Sequence, residues 1–323
     1  MVKHTVIARR RKAPTKQSNT ATKIGKLELK NPVILASGTC GFGKEIEGLV
    51  DLNALGAIVT KTITLKKREG NPPPRIVETP SGMINAIGLD NDGLKDFMFE
   101  KIPYLRTLKI PVIASIAGDT LEEFMTLARE IQKSPCVKAI EVNLSCPNVI
   151  HKGTKHAILA QDGPAVEKIM SQLRKATKRT LIAKLSPNVT DIGEIARSAE
   201  KGGSDAVSLI NTYPAMAVDI STMKPKLGNI IGGLSGPAIK PLALKCVRDA
   251  YRAVKIPVIG SGGIMNAEDA VEFILCGAAA VQVGTANFVD PGAPVKIADG
   301  IRKYLKEKRI DSIRELVGKA RTE

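Results

Sequence analysis

Short apolar segments rich in β-branched residues recur along the chain after residue 31, and amphipathic segments separate them. The eight apolar segments are residues 33–37, 57–61, 111–116, 139–145, 181–185, 206–211, 257–261 and 280–284. Continuous apolar runs of this length are typical of strands buried in a parallel sheet. Polar residues or glycines close most of them, so candidate chemistry collects where the predicted strands end.

The segments between these strands show helical periodicity. They cover residues 94–108, 120–132, 164–176, 191–201, 238–254, 267–276 and 294–305. Thr120, Asp191 and Asn266 stand at the starts of three of them, and these residue types commonly cap helices. The chain is therefore predicted to alternate strand and helix.

Alternating strands and helices imply right-handed βαβ units, and eight units within about 250 residues imply a closed barrel. The predicted fold class is α/β, a (β/α)8 TIM barrel spanning residues 23–323. A doubly wound open sheet is the alternative. Residues 1–22 are expected to form a basic, flexible tail.

Three connections after strands are longer than ordinary βα loops. They follow the second, fourth and sixth strands, and the first and last cover residues 62–93 and 212–237. Because these two leave the carboxyl ends of strands, we expect them to form lids or walls over the barrel mouth. Long structured loops in that position usually serve binding.

Composition narrows the class of protein further. Aromatic residues make up 3% of the 323 residues and Trp is absent, so the core must be built from smaller aliphatic side chains. The five cysteines include no C-x-x-C pair, which argues against a zinc or iron–sulfur site. No apolar run reaches the ~20 residues of a membrane span, and no secretory signal is recognised. We expect a cytoplasmic protein that has no membrane span and no metal site.

The net charge of +16 raises nucleic acid as a possible partner, but its distribution argues otherwise. Residues 1–30 contain nine Lys or Arg against the single acid Glu28, so about half of the excess lies in these first 30 residues, most of it in the predicted tail. A solvated tail explains this charge, and nucleic-acid binding is not expected. For the tail itself, an anion or nucleic-acid contact and a targeting segment stay alternatives.

The end of the fourth predicted strand carries the densest set of polar side chains, with Asn143, Ser145, Cys146 and Asn148 within six residues. A free cysteine is more often inert and buried. At a strand end, however, a thiol with an ordinary pKa of ~8.5 is a suitable general base for a carbon acid. Cys146 is the candidate base.

Other strand ends suggest a phosphate-bearing cofactor. Gly262, Gly263 and Gly284 follow the seventh and eighth strands, where barrels of this kind commonly bind phosphate through backbone N–H groups. Lys61 and Lys184 end two other strands and could face an electron-rich ring. No G-x-G-x-x-G motif follows an early strand, so flavin mononucleotide (FMN) fits better than a dinucleotide.

Five motifs together resemble class 1 dihydroorotate dehydrogenase, in order and over about residues 27–290. They are Asn85-Ala-Ile-Gly-Leu89, Asn143-Leu-Ser-Cys-Pro-Asn148, Lys184-Leu-Ser-Pro-Asn188, Asn211-Thr212 and Gly233-Leu-Ser-Gly-Pro-Ala-Ile-Lys-Pro241. The resemblance implies that Cys146 takes a proton from C5 of dihydroorotate while a hydride passes from C6 to FMN, the redox step of pyrimidine biosynthesis.

The resemblance also implies two sets of binding residues. Substrate contacts are expected from Lys61, Asn85, Ala86, Ile87, Gly88, Leu89, Asn143, Asn211 and Thr212. FMN contacts are expected from Ser37, Lys61, Thr62, Ser115, Asn143, Lys184, Ile210, Gly236, Gly262, Gly263, Gly284 and Thr285. Ser115 stands where relatives often have Asn, and the sequence of residues 150–162 departs from the one usual in the family.

The run around Cys146 and the text after Asn211 look most like the catalytic subunit of the NAD-linked class 1B enzyme. That likeness implies a homodimer core and a heterotetramer with an electron-transfer subunit that carries FAD and a 2Fe–2S cluster. Two related flavin barrels stay alternatives, namely a dihydropyrimidine dehydrogenase-like and a tRNA-dihydrouridine synthase-like enzyme. A nucleic-acid-binding barrel without activity is the alternative from another class.

Overall fold

The computed structural model describes residues 19–144 and 159–320. Ser145, Cys146 and Asn148 lie outside these residues, as do residues 1–18 of the predicted tail and most of the loop after the fourth barrel strand.

A closed barrel of eight parallel strands forms the centre of the described chain. The described residues form sixteen strands in all, inside and outside the barrel: β1 (Thr22–Ile24), β2 (Leu27–Leu29), β3 (Val33–Leu35), β4 (Ala57–Val59), β5 (Ile76–Thr79), β6 (Gly82–Asn85), β7 (Val112–Ile116), β8 (Val137–Asn143), β9 (Thr180–Lys184), β10 (Ala206–Leu209), β11 (Tyr213–Ala215), β12 (Val218–Asp219), β13 (Lys224–Pro225), β14 (Gly232–Ser235), β15 (Val258–Ser261) and β16 (Ala278–Val283). Strands β3, β4, β7, β8, β9, β10, β15 and β16 close the barrel in chain order. The predicted TIM barrel is confirmed.

Helices follow the barrel strands. They are α1 (Gly93–Asp96), α2 (Ile102–Leu105), α3 (Leu121–Ile131), α4 (Gly163–Ala176), α5 (Ile192–Lys201), α6 (Lys240–Ala253), α7 (Ala267–Leu275), α8 (Ala286–Val289) and α9 (Ala293–Lys308). A π-helical stretch, Phe97–Lys101, joins α1 to α2. The side chains of Thr120, Asp191 and Asn266 accept hydrogen bonds from the first turns of α3, α5 and α7, as their residue types predict.

Side chains of the barrel strands alternate between two hydrophobic clusters. One set, which includes Leu35, Ile58 and Val142, packs against the helices. The other set faces the barrel interior and consists of Ile34, Ala57, Val59, Ile113, Ala139, Ile182, Ala206, Ile259 and Ala280. This division follows from the period of two in a strand.

The amino end of the barrel is closed by the β1–β2 hairpin. Ile24, Leu27 and Leu29 are buried in the same cluster as the inward-facing strand residues. Thr22 Oγ1 also donates to Ala279 O at 2.9 Å, at the start of β16. The backbone N–H of Asn19 donates to Asp311 O, so the chain already contacts the segment after α9 before residue 23.

The two long connections fold together rather than separately. β5 and β6 come from the first connection, β11 and β14 from the second, and they form one antiparallel sheet in the order β11–β14–β6–β5. Asn85 pairs with Gly233 in this sheet. The predicted wall at the mouth is thus a four-stranded sheet. Residues 232–235 form its strand β14.

Candidate active site

The inward-facing positions change from apolar to polar toward the carboxyl ends of the strands. Two residues beyond the inward aliphatic side chain, six strands carry a buried polar residue; we call this set the polar layer: Ser115, Glu141, Lys184, Ser208, Ser261 and Gln282. Two residues advance a strand by about 7 Å. The polar layer therefore separates the apolar barrel interior from the mouth, defined here as the carboxyl-terminal end of the barrel.

Hydroxyl groups connect the ends of the first three barrel strands. Thr62 Oγ1 lies 2.9 Å from Ser115 Oγ and 3.4 Å from Ser37 Oγ. The backbone N–H of Ser115 donates to Thr60 Oγ1 at 3.2 Å. The structure thus brings Ser37, Thr62 and Ser115 together at one side of the mouth, where uncharged donors and acceptors are available to a ligand.

Two lysines and an amide predicted from the sequence lie at the carboxyl ends of barrel strands. Asn143 and Lys184 are register partners in β8 and β9. Lys184 is 8% exposed, whereas Lys61 is half-buried and has no ion-pair partner within residues 19–144 and 159–320. Two cationic groups of different burial are therefore directed to the same end of the barrel.

Glu141 and Gln282 were not among the residues predicted from the sequence. Gln282 Nε2 donates to Glu141 Oε2 at 2.6 Å, and Lys184 Nζ donates to Gln282 Oε1 at 3.3 Å. Glu141 Oε1 lies 3.8 Å from Lys184 Nζ. A charged residue and an amide within apolar strand segments were the available signal, since such residues are rarely buried without a partner.

Glycine turns follow β14 and β15 at the mouth. Gly236, Gly262 and Gly263 have φ angles of 95°, 125° and 76°, which favour glycine. A Cβ at Gly263 would lie 2.8 Å from Gly236 O, so the two turns are in contact. Within the described residues, the N–H groups of Gly262 and Gly263 find no carbonyl to donate to. Such N–H groups suit an anion.

The four-stranded sheet brings further predicted residues to the mouth. Asn85 Nδ2 donates to Gly233 O at 3.3 Å. A Cβ at Gly233 would lie 2.0 Å from Thr212 Oγ1, so glycine permits the close approach of Thr212. The backbone N–H of Thr212 donates to Asn211 Oδ1 at 2.8 Å, which fixes the orientation of that amide. Asn85, Asn211 and Thr212 therefore belong to one structural unit.

Not every predicted contact residue directs its side chain to the mouth. Ala86 is buried with Ile84 and Leu227 under the four-stranded sheet. Leu89 packs against the helix layer. Their predicted substrate contacts remain predictions, as do those of Ile87 and Gly88.

Two of the four described cysteines, Cys40 and Cys246, are buried. Burial raises the pKa of the Cys40 thiol to about 12, and the nearby Glu45 adds to the shift. Burial also raises the pKa of Tyr213 to about 12, and its contact with Cys246 of α6 adds to it. Thiols with raised pKa are poor nucleophiles and bases at neutral pH. Cys146, the predicted base, lies outside the described residues.

A scan against protein families matches residues 19–305 to the family described as dihydroorotate dehydrogenase. The chain belongs to the dihydroorotate dehydrogenase family. The match covers the whole barrel and the four-stranded sheet, so it includes every described residue of the mouth.

Curated dihydroorotate dehydrogenases are similar over nearly their full length. A protein of Geotalea uraniireducens is 51% identical over 298 residues, which are 92% of this chain and 97% of that protein. Proteins of Trichlorobacter lovleyi and Desulforudis audaxviator are each 52% identical, over 92% and 93% of this chain and 97% of each relative. All three are named dihydroorotate dehydrogenase B (NAD(+)), catalytic subunit.

Dihydroorotate dehydrogenases are flavin-dependent oxidoreductases in general, and the mouth offers groups that suit a flavin phosphate and ring. The relatives' designation as catalytic subunits implies a partner subunit for them. Among residues 19–144 and 159–320, no helix combines the length and the apolar character that crossing a membrane requires.

Proposed function

We propose that this chain oxidises dihydroorotate to orotate in pyrimidine biosynthesis, with FMN bound at the mouth. The observation that carries the proposal is the meeting of Lys61, Lys184 and the strand-end amides with glycine turns at one end of the barrel. Membership in the dihydroorotate dehydrogenase family supports the same reaction.

The residues present fit FMN. The turns at Gly262–Gly263 and Gly284–Thr285 would bind its phosphate through backbone N–H groups, with Gly236 beside them. Ser37, Thr62, Ser115, Asn143 and Ile210 would surround the ring system, together with the two lysines. When bound, FMN supplies the hydride acceptor for the oxidation.

The substrate is a small carboxylate whose ring carries imide groups. Lys61 would pair with the carboxylate, because it is half-buried and lacks an acidic partner within the described residues. Asn85, Asn143 and Asn211 carry amides, which offer both donors and acceptors to an imide edge. Thr212 would add a hydroxyl beside Asn211. Charge and hydrogen-bonding capacity therefore both suit dihydroorotate.

Cys146 would act as the base that removes the proton from C5. It follows Asn143 by three residues, after the last residue of β8. A double bond between C5 and C6 forms as the proton goes to the thiolate and the hydride leaves C6. A thiol suits this role because its ordinary pKa of ~8.5 lies close to physiological pH.

The electrons would leave through a partner. We propose that this chain forms a homodimer core that binds an electron-transfer subunit carrying FAD and a 2Fe–2S cluster, in the cytoplasm. The names of the three relatives, which specify NAD(+) and a catalytic subunit, support this assignment.

Anaerobic mixing of the purified chain, loaded with FMN, with dihydroorotate tests the reaction. Bleaching of the flavin absorbance and formation of orotate are expected. A flavin that stays oxidised would refute the proposal. NAD, fumarate and a quinone are then offered to the reduced protein. Reoxidation by NAD is expected only after the partner subunit is added, and reoxidation by fumarate alone would contradict the class 1B assignment.

A further inference from the structure

Glu141 is a fully buried carboxylate of the polar layer, and the chemistry proposed above does not use it. It stands on β8 between Ala139, in the apolar interior, and Asn143, at the mouth. The inward residues one step deeper on β8 and its neighbours, Ile113, Ala139 and Ile182, are all aliphatic. An ionised group in such surroundings is costly unless it is paired and hydrogen-bonded.

The pairing of Glu141 is incomplete within the described residues. Oε2 accepts a hydrogen bond from Gln282 at 2.6 Å, but Oε1 has no hydrogen-bond partner and lies 3.8 Å from Lys184 Nζ. Native proteins rarely leave a buried polar atom unsatisfied. A buried ion pair with one open oxygen is therefore poorly explained by stability alone, because aliphatic residues could fill the same layer.

Gln282 connects the carboxylate to the lysine. Its Nε2 donates to Glu141, while its Oε1 accepts from Lys184 Nζ and from Ser208 Oγ, each at 3.3 Å. Lys184 consequently receives two restraints on the side that faces the barrel interior. The long lysine side chain is held in one direction, and its ammonium stays at the boundary between the polar layer and the mouth.

We propose that Glu141 is a positioning residue that acts through Gln282. It holds the Lys184 ammonium toward the bound flavin, and its negative charge lowers the flavin's reduction potential by offsetting the positive charge of Lys184. This inference rests on the proposed function, since it requires a flavin at the mouth. The positive charge of Lys184 stabilises the negative charge that a flavin gains on reduction. The carboxylate behind it opposes that stabilisation, because interactions between charges are strong in a poorly solvated interior.

Charge substitutions separate the two contributions. Glu141→Gln keeps the size of the side chain and removes one negative charge. Lys184→Met removes the positive charge, and the double variant removes both. The potential is expected to be lowest in Lys184→Met, higher in the double variant, and highest in Glu141→Gln. The expected rise for Glu141→Gln is at least tenfold in the ratio of reduced to oxidised flavin at fixed ambient potential, or about 30 mV for a two-electron couple.

The measurement is reductive titration of the FMN-loaded protein against a dye of known potential, without dihydroorotate. Ser208→Ala is the matched control, because Ser208 is an equally buried neutral member of the same network and its loss changes no charge. The control should keep the native potential to within twofold in the same ratio, and a change as large as that of Glu141→Gln would overturn the proposal.

An unchanged or lowered potential in Glu141→Gln would also overturn it. Should that variant fail to retain FMN, the double variant and Lys184→Met isolate the same carboxylate. A higher potential in the double variant supports the proposal, and an equal or lower one refutes it. Dihydroorotate bleaching of the native flavin is recorded in parallel. If bleaching occurs but the potentials do not shift, the role of Glu141 alone is wrong, whereas absence of bleaching refutes the proposed function itself.

Discussion

The two ends of the barrel are built from the same strands but differ in the polarity of the residues that line them. At the amino end, the β1–β2 hairpin and the inward aliphatic residues form a closed apolar plug. Toward the mouth, the polar layer, the lysines and the glycine turns lie within one or two residues of the strand ends. A difference of two residues along a strand, about 7 Å, separates a stabilising position from a functional one.

β8 shows this division most clearly. Its inward positions change from Ala139 to Glu141 to Asn143, from an apolar contact to a buried charge to an amide at the mouth. The comparison implies that substitutions at the amino end alter the free energy of unfolding, while substitutions at the mouth alter the chemistry. Two cysteines flank the same strand and allow a direct test.

Cys146→Ala is expected to reduce turnover with dihydroorotate by about 10² to 10⁴-fold, because a positioned general base contributes that much. FMN content and thermal stability should stay near native values. Steady-state kinetics with a soluble electron acceptor and the flavin spectrum measure both. Cys136→Ala is the matched control, since Cys136 precedes the amino end of β8. Native turnover in Cys146→Ala, or an equal loss in both variants, would remove Cys146 from the reaction.

Sequence periodicity predicted the barrel because each strand and helix carries its pattern locally. The four-stranded sheet at the mouth was not predicted. Asn85 and Gly233 pair across about 150 residues, and the glycine-rich strand β14 has no side-chain alternation to indicate a strand. Glycine is needed there because any Cβ at Gly233 would collide with Thr212. Only the assembled mouth shows that requirement.

Glu141 was missed for a related reason. Within residues 139–145 it is one of three polar residues, and it stands farther from the strand end than Asn143 and Ser145, where the candidate chemistry was expected. Its partner Gln282 lies 141 residues away, so the network exists only once the barrel closes. Lys61 and Lys184 were recognisable because they stand at the ends of predicted strands, and the carboxyl ends of the barrel strands form the mouth.

Leu29→Ala should destabilise the amino end without affecting the chemistry. Leu29 is 1% exposed in the plug, and removing a buried leucine side chain costs about 2–5 kcal/mol. Urea unfolding measures the loss. The kcat for dihydroorotate at 25 °C should remain native, because the plug lies at the opposite end from the mouth. Glu28→Ala, at the neighbouring exposed position, should change stability by less than about 0.5 kcal/mol. A large loss of kcat in Leu29→Ala would show that the two ends are coupled.

Cys40 sharpens the comparison because it is close to the end of the first barrel strand yet is only 2% exposed. Burial raises its pKa from 9.0 to about 12, with Glu45 as a second cause. The unfolded chain therefore loses this proton above about pH 9, whereas the folded chain keeps it until about pH 12. The corresponding stability is fully present below pH 9 and is lost between pH 9 and 12, by up to about 1.4 kcal/mol per pH unit.

Urea unfolding of the native chain and of Cys40→Ala at pH 8, 9, 10 and 11 measures this effect. Other groups that titrate in this range contribute equally to both proteins. The difference between their slopes of unfolding free energy against pH therefore isolates Cys40. The native stability should fall more steeply above pH 9 than that of Cys40→Ala. If the free energy of unfolding fell equally with pH in both proteins, the Cys40 thiol would be hydrated. A place near the mouth would then be enough to expose a cysteine. A steeper native slope instead shows that burial, more than distance from the strand end, separates an inert thiol from a reactive one.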